Sequence, residues 1–274
     1  MRHGDFYTFP YNIIEHYPLY VEMAGTDYCH ENYRIRRINS EVTVLAYVVD
    51  GEGTLTAGGF TYHPRKGDIF LLPLGSFHEY YSEEQQPWAF LWFNIRGELL
   101  PRLLESYHLD HTFYVENCGL EHLFSKGVEL ASSQKNGIPE IQKQLNMVIY
   151  EIIAEVADIL RKREIHLSPD ILKAKDYLDK HLEASVRIEG LEKLLCMSGR
   201  QINRIFKNEM STSPYQYLLA KRLDLAKSLL SNSTLSVKQI AARLKFSDPY
   251  YFSNIFKKKV GISPQHYRKA SRKY

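Results

Sequence analysis

The sequence predicts an α+β protein of two domains: an antiparallel β-barrel with trailing helices, then an all-α domain of two helix-turn-helix units joined by a long helix. Three observations predict it. The chain has 274 residues, and a domain takes about 150. Between Val42 and Ser82, short apolar runs alternate with "DGEG", "AGG" and "RKGD", the rhythm of β-hairpins. Finally, "IFKNEMSTSPYQY" (Ile205–Tyr217) returns fifty residues later as "IFKKKVGISPQHY" (Ile255–Tyr267), six of thirteen positions being identical in register.

Along the N-terminal half, "WAFLWFNI" puts Trp88, Phe90 and Trp92 on one face of a strand. From Gly97 the pattern turns helical, through "GELLPRLLESYHL", "GLEHLFSKGVELASS" and "PEIQKQLNMVIYEIIAEVADILRKRE". The last carries Ile141, Leu145, Val148, Ile149, Ile152, Val156 and Ile159 as one apolar stripe, for its own barrel or for a second subunit. "RKREIHLSPD" reads as the linker, giving domains at 1–163 and 168–274.

After it, Ser168 caps a helix with Pro169 at its first position, and Ile171, Leu172, Tyr177, Leu178 and Leu182 face inward. "RIEGLEKLL" is a second helix, with Ile188, Leu191, Leu194 and Leu195 inward. A third begins at Ser198 and buries Ile202, Ile205 and Phe206. "LSVKQIAARL" and "FSDPYYFSNIFKKKV" repeat the last two. The offset is 49 residues before the turn and 50 after it, so the second turn holds one extra residue. The two units span 188–209 and 236–260, and a helix of roughly 25 Å from Pro214 joins them. Recognition helices about 34 Å apart would meet successive major-groove segments.

Charge points the same way. Residues 165–274 hold 21 Lys+Arg against 9 Asp+Glu, and residues 1–164 hold 14 against 23, so a net +3 hides halves of +12 and −9. A basic half asks for a polyanion, here double-stranded DNA. On the outer side of the first recognition helix stand Arg200, Asn203, Arg204 and Lys207. On the second stand Tyr250, Ser253, Asn254 and Lys257. Arg suits guanine and Asn adenine, whereas Lys257, Lys258 and Lys259 suit phosphates. No secretion signal or membrane span is legible, and Cys29, Cys118 and Cys196 are too far apart for a disulfide framework or a thiolate metal site. A cytoplasmic protein is expected.

"SVKQIAARLKFSDPYYFSNIFKKKVGISPQHYR" resembles the signature of the AraC/XylS family of bacterial transcription regulators over about 100 residues, Ile171 to Arg268. Ile240, Ala241, Phe246, Asp248, Tyr251, Phe252, Phe256, Gly261, Pro264 and Tyr267 carry the resemblance. Departures fall at Lys245 and Cys196, where the family has Gly in the turn, at Ser211, which stands opposite Gly261, and at Asn254, often Arg. "GDIFLLPLGSFHEYYS" from Gly67 resembles the second cupin motif, and such a barrel often precedes this DNA-binding domain. The resemblance implies a homodimer, a small-molecule effector that is a carbohydrate or related metabolite, and RNA polymerase as a further partner.

Similarity to sugar-binding members suggests Arg36, His78, Tyr80, Phe90 and Trp92 as effector-binding residues. Phe90 and Trp92 also fit plain core, and Arg36 a surface charge. A cupin metal enzyme is the first alternative. Yet "RRINSEVTVLAYVVD" offers no His, and His78 with His63 is too few ligands, so no metal, cofactor or catalytic residue is expected. A constitutive DNA-binding dimer without effector is the second.

Overall fold

The computed structural model describes residues 4–58, 60–110, 112–133, 137–165, 167–210, 212–260 and 262–271. Contacts divide the chain into two units, Met1–Lys162 and Arg163–Tyr274.

The first unit contains β1 (Phe6–Thr8), α1 (Tyr11–Ile14), β2 (Tyr20–Tyr28), β3 (Arg34–Arg37), β4 (Thr43–Asp50), β5 (Gly53–Ala57), β6 (Phe60–Tyr62), β7 (Ile69–Leu72), β8 (His78–Ser82) and β9 (Ala89–Arg96). There follow α2 (Leu99–Ser106), β10 (Tyr114–Val115), α3 (Glu121–Ser132) and α4 (Ile138–Ile165), whose last turn ends past the unit boundary. Two antiparallel sheets form, ordered β1-β2-β9-β4-β7-β10 and β3-β8-β5-β6. Their inner faces share one core, in which Val44, Ala46, Val48, Phe70 and Phe90 of the larger sheet meet Leu55, Ala57 and Tyr80 of the smaller. Alternation along each strand sends the neighbouring side chains the other way. Gly53 makes room for the largest of the inner residues, because a Cβ there would lie 2.7 Å from the Trp88 ring.

The outer face of the larger sheet is covered by helices. Leu45, Tyr47, Leu91, Phe93 and Ile95 pack against α3 and α4. Gly127 lets α3 approach closely, since a Cβ would come within 2.5 Å of Phe93 Cζ. The stripe of α4 is spent inside this unit: Ile141, Leu145, Val148, Ile149, Ile152 and Val156 are all buried in the same cluster, with Ile159 at its margin. Each such burial is worth roughly 1.5–3 kcal/mol. Of the two destinations open to that stripe, its own barrel takes it. Gln142 of α4, fully buried, accepts from Val21 N (3.0 Å) and donates to Val21 O (2.8 Å). It thereby satisfies backbone groups beside the irregularity between Val21 and Met23, where β2 slips against β9.

The second unit is helical: α5 (Pro169–Lys180), α6 (Ile188–Leu195), α7 (Gly199–Met210), α8 (Pro214–Asn232), α9 (Val237–Arg243), α10 (Pro249–Val260) and α11 (Pro264–Ser271). It holds two cores. Ile171, Leu178, Leu191, Leu195, Ile202 and Phe206 make the first. Ile240, Ala241, Leu244, Phe252, Phe256 and Val260 make the second. The 19 residues of α8 extend about 28 Å. Leu218 enters the first core, while Leu223, Ala226 and Leu230 enter the second. Leu172, Ile188 and Leu194, expected to face inward, are exposed, because the short helices α5 and α6 bury only a narrow stripe.

The repeat is visible in the caps. Ser168, Ser213 and Ser236 each accept from a backbone N–H three residues on, as Ser263 does from His266. Both turns carry a left-handed residue, Cys196 at φ 53° and Lys245 at φ 57°. The family's Gly preference is thus a real backbone requirement, met here by residues that strain to meet it. The departure at Ser211 and its counterpart Gly261 lie outside the described residues.

Candidate nucleic-acid interface and effector site

The two recognition helices are built alike. Phe206 of α7 and Phe256 of α10 are fully buried, as are Ile202 and Phe252 one turn earlier, so the register of the repeat fixes which face turns outward. Ser198 starts α7 by a reciprocal cap: its Oγ accepts from Gln201 N, and its own N–H donates to Gln201 Oε1. Asp248, at the matching position, starts α10 by accepting from Tyr251 N at 2.7 Å. On the outward face of α7, Arg200, Asn203, Arg204 and Lys207 are exposed. On α10, Tyr250 (77 % exposed), Asn254, Lys257 and Lys258 are exposed, and Ser253 is half-buried.

Two of these side chains are turned back on their own helices. Asn203 Nδ2 donates to Gly199 O at 2.8 Å, and Ser253 Oγ donates to Pro249 O at 2.8 Å. Arg200, Arg204, Lys207, Lys257 and Lys258 are the exposed cationic donors of the two outward faces. Behind them, contacts that the sequence did not suggest tie the two helix-turn-helix units together. Arg243 of α9 pairs with Glu183, in the turn after α5, at 2.8 Å. Tyr215 Oη lies 3.1 Å from Tyr251 Oη.

The inner face of the first unit is lined by aromatic rings. Phe70 stacks on Trp88 (centroids 5.6 Å apart), and Phe90 and Tyr80 pack edge-on against Trp88. His78 opens β8 and is fully buried, with Nδ1 2.9 Å from Ser76 Oγ. Burial, assisted by the positive charge of Arg37, lowers its pKa to about 4, so the imidazole is neutral at pH 7. Burial pushes the Tyr80 phenol up to about 12. Three buried polar atoms on these inner residues, His78 Nε2, Trp88 Nε1 and Trp92 Nε1, have no hydrogen-bond partner among the described residues.

The effector-binding set needs one correction. Arg36 does not enter the barrel. It lies opposite Glu79 across the β3–β8 ladder, is exposed, and rests over the Phe77 ring at 5.9 Å. Arg37, one residue on, pairs with His78 and shares its face. A single step along a strand reverses the side-chain direction, and an unbroken run of Arg-Ile-Arg-Arg gives the sequence no means of choosing. Tyr80 and Phe90 are inner wall, nearly fully buried, and Trp92 is half-buried beside them. His63 is exposed, its Nδ1 3.3 Å from Thr54 Oγ1. Among the described residues no three His, Cys, Asp or Glu side chains converge as a metal site.

Known families match both halves. Residues 20–146 match the model described as an AraC-like ligand binding domain, and residues 191–270 match a helix-turn-helix domain. The chain belongs to the AraC family. It is a transcription regulator, with a ligand-binding domain ahead of a DNA-binding domain. The Msm operon regulatory protein of Streptococcus mutans is 26% identical to it over 93% of this chain and 94% of that protein. The raffinose operon transcriptional regulatory protein of Pediococcus pentosaceus is 27% identical, over 90% and 92%. The lactose operon transcription activator of Staphylococcus xylosus is 25% identical, over 82% and 83%.

As an AraC-type regulator, the chain also carries inner polar residues that motif reading missed. Asp27 of β2 pairs with Phe90 across the ladder and so faces inward, and Tyr33 donates to its Oδ2 at 3.0 Å. Burial raises the Asp27 pKa, opposed by the Tyr33 hydrogen bond and by the Trp92 indole N–H that leans toward the carboxylate. The only available signal was "GTDY", a lone acid in a strand of otherwise uncharged residues after Glu22.

Proposed function

We propose that this chain is a cytoplasmic regulator rather than an enzyme, that its barrel binds a carbohydrate effector, and that its two recognition helices hold a promoter site in double-stranded DNA. One observation carries the effector half: His78 Nε2, Trp88 Nε1 and Trp92 Nε1 are buried, aromatic-walled and without a hydrogen-bond partner among the described residues. A buried polar group left unpaired costs about 1–3 kcal/mol, and a hydroxylated ligand would offset that cost. Half-buried Trp92 offers an apolar ring to the C–H face of a sugar. The names of relatives that regulate lactose and raffinose operons support the same class. No helix among the described residues is long and apolar enough to cross a membrane.

For DNA, Arg200 and Arg204 are the base-reading residues of α7 in this reading, with Asn203 released from Gly199 on binding. Lys207, Lys257 and Lys258 meet phosphates, and Tyr250, Ser253 and Asn254 give the second helix a weaker set. The acting species is a homodimer that contacts RNA polymerase. With the apolar stripe of α4 spent on its own sheet, that helix offers a partner exposed Met147 and the open side of Tyr150, whose hydroxyl lies 2.9 Å from that of Tyr107.

Melting the full chain with lactose, raffinose or arabinose tests the effector half. A sugar at about 100 times its dissociation constant adds about 2.7 kcal/mol and raises the midpoint by a few degrees. That shift should vanish in Trp92→Ala. A shift with divalent metal alone would favour an enzyme, and none with any sugar would leave a constitutive DNA-binding dimer.

A further inference from the structure

Resting on the carbohydrate reading above, we propose that Asp27 and Tyr33 form the acidic end of the effector site and select an uncharged polyhydroxy ligand over its phosphorylated counterpart, the ligand's hydroxyls donating to the Asp27 carboxylate. The ladder places them. Asp27, Phe90 and Val48 are direct partners across β2, β9 and β4, and Trp92 lies one inner row away, opposite Gly25 and Ala46. Phe90 and Val48 belong to the core between the sheets, so Asp27 points into it. The Tyr33 ring stands 6.1 Å from Phe90 and 6.3 Å from Tyr80, which fixes its hydroxyl against Asp27 Oδ2.

The donor and acceptor inventory then describes the ligand. An ionised carboxylate accepts at about four lone-pair positions. Tyr33 fills one, and the Trp92 N–H leans toward the group without closing a hydrogen bond. Among the described residues no Lys or Arg forms an ion pair with Asp27. A partly desolvated carboxylate with spare acceptor capacity and no countercharge is costly to bury and calls for donors. Trp92, whose indole only donates and stands beside the carboxylate without closing a hydrogen bond, calls for an acceptor. A hydroxyl group is both at once. A phosphate or carboxylate offers acceptors only and adds like charge in a medium of reduced dielectric.

The test is calorimetric titration of the full chain with lactose, raffinose and arabinose, and with lactose 6-phosphate and arabinose 5-phosphate as matched anionic probes. The wild-type chain should bind a neutral sugar at least tenfold more tightly than its phosphate. Asp27→Asn should lose at least tenfold for that sugar and narrow the gap to the phosphate, while its sugar-free melting midpoint stays level or rises. Tyr33→Phe, which keeps the carboxylate, should lose less. Equal or tighter binding of the phosphate by the wild-type chain overturns the inference whatever the variants do. So does an Asp27→Asn chain that keeps its sugar affinity while Trp92→Ala abolishes it. Either result leaves the carbohydrate reading intact, whereas no binding of any neutral sugar removes both.

Discussion

His78 shows how one buried side chain ties stability to pH. Its folded pKa of about 4 lies below the unfolded value of about 6.5. Between those limits the unfolded chain takes up a proton that the folded chain refuses, so folding weakens as pH falls from 6.5 toward 4 and is unaffected above it. The expected loss is up to about 3 kcal/mol, from about 1.4 kcal/mol per pH unit. Denaturant titrations of the wild type and His78→Gln across that window should show a smaller pH slope in the variant. On the DNA side, Arg204→Ala should cost about 1–3 kcal/mol in specific binding and relax the preference at one base pair, measured by competition with singly substituted operator fragments.

At the scale of elements, backbone conformation separates what a sequence reveals from what it hides. Cys196 and Lys245 hold left-handed turns without glycine's freedom. Lys245→Gly should therefore stabilise the full chain by up to about 1 kcal/mol, read from the denaturation midpoint of its helical signal. The opposite holds at the α3–β9 contact, where Gly127→Ala would push Phe93 aside and cost about 1–3 kcal/mol. The helices, their serine caps and the hairpin rhythm were legible because each follows from local chemistry: a periodic stripe, an N-terminal hydroxyl, a Gly-rich turn. So was the one-residue insertion in the second turn, which the repeat exposes by its offset. The inward residue of β3 was not legible, because "RIRR" reads equally well in either register and only pairing with β8 decides. Asp27 was hidden for a similar reason. Its role comes from facing Phe90, a residue 63 positions away in the chain. The destination of the α4 stripe was also undecided, since any apolar partner would satisfy the same pattern.

The whole molecule is two chemistries on one chain, an acidic half that encloses aromatic rings and a basic half that displays cations. The basic half alone fixes the salt dependence of DNA binding. Log affinity should fall linearly with log salt, and Lys258→Ala should flatten that slope by nearly one while weakening all sequences alike. If Lys258→Ala instead relaxed base preference as Arg204→Ala does, the division into phosphate and base contacts would be wrong. The aromatic half has a different consequence. The chain has two tryptophans, and both indoles, Trp88 and Trp92, lie on the inner face of the barrel. Tryptophan fluorescence of the unmodified protein is therefore an optical gauge of that interior and blind to the helix-turn-helix half. A sugar entering the barrel would announce itself by changing the colour and yield of that light, and no dye or label is needed to see it.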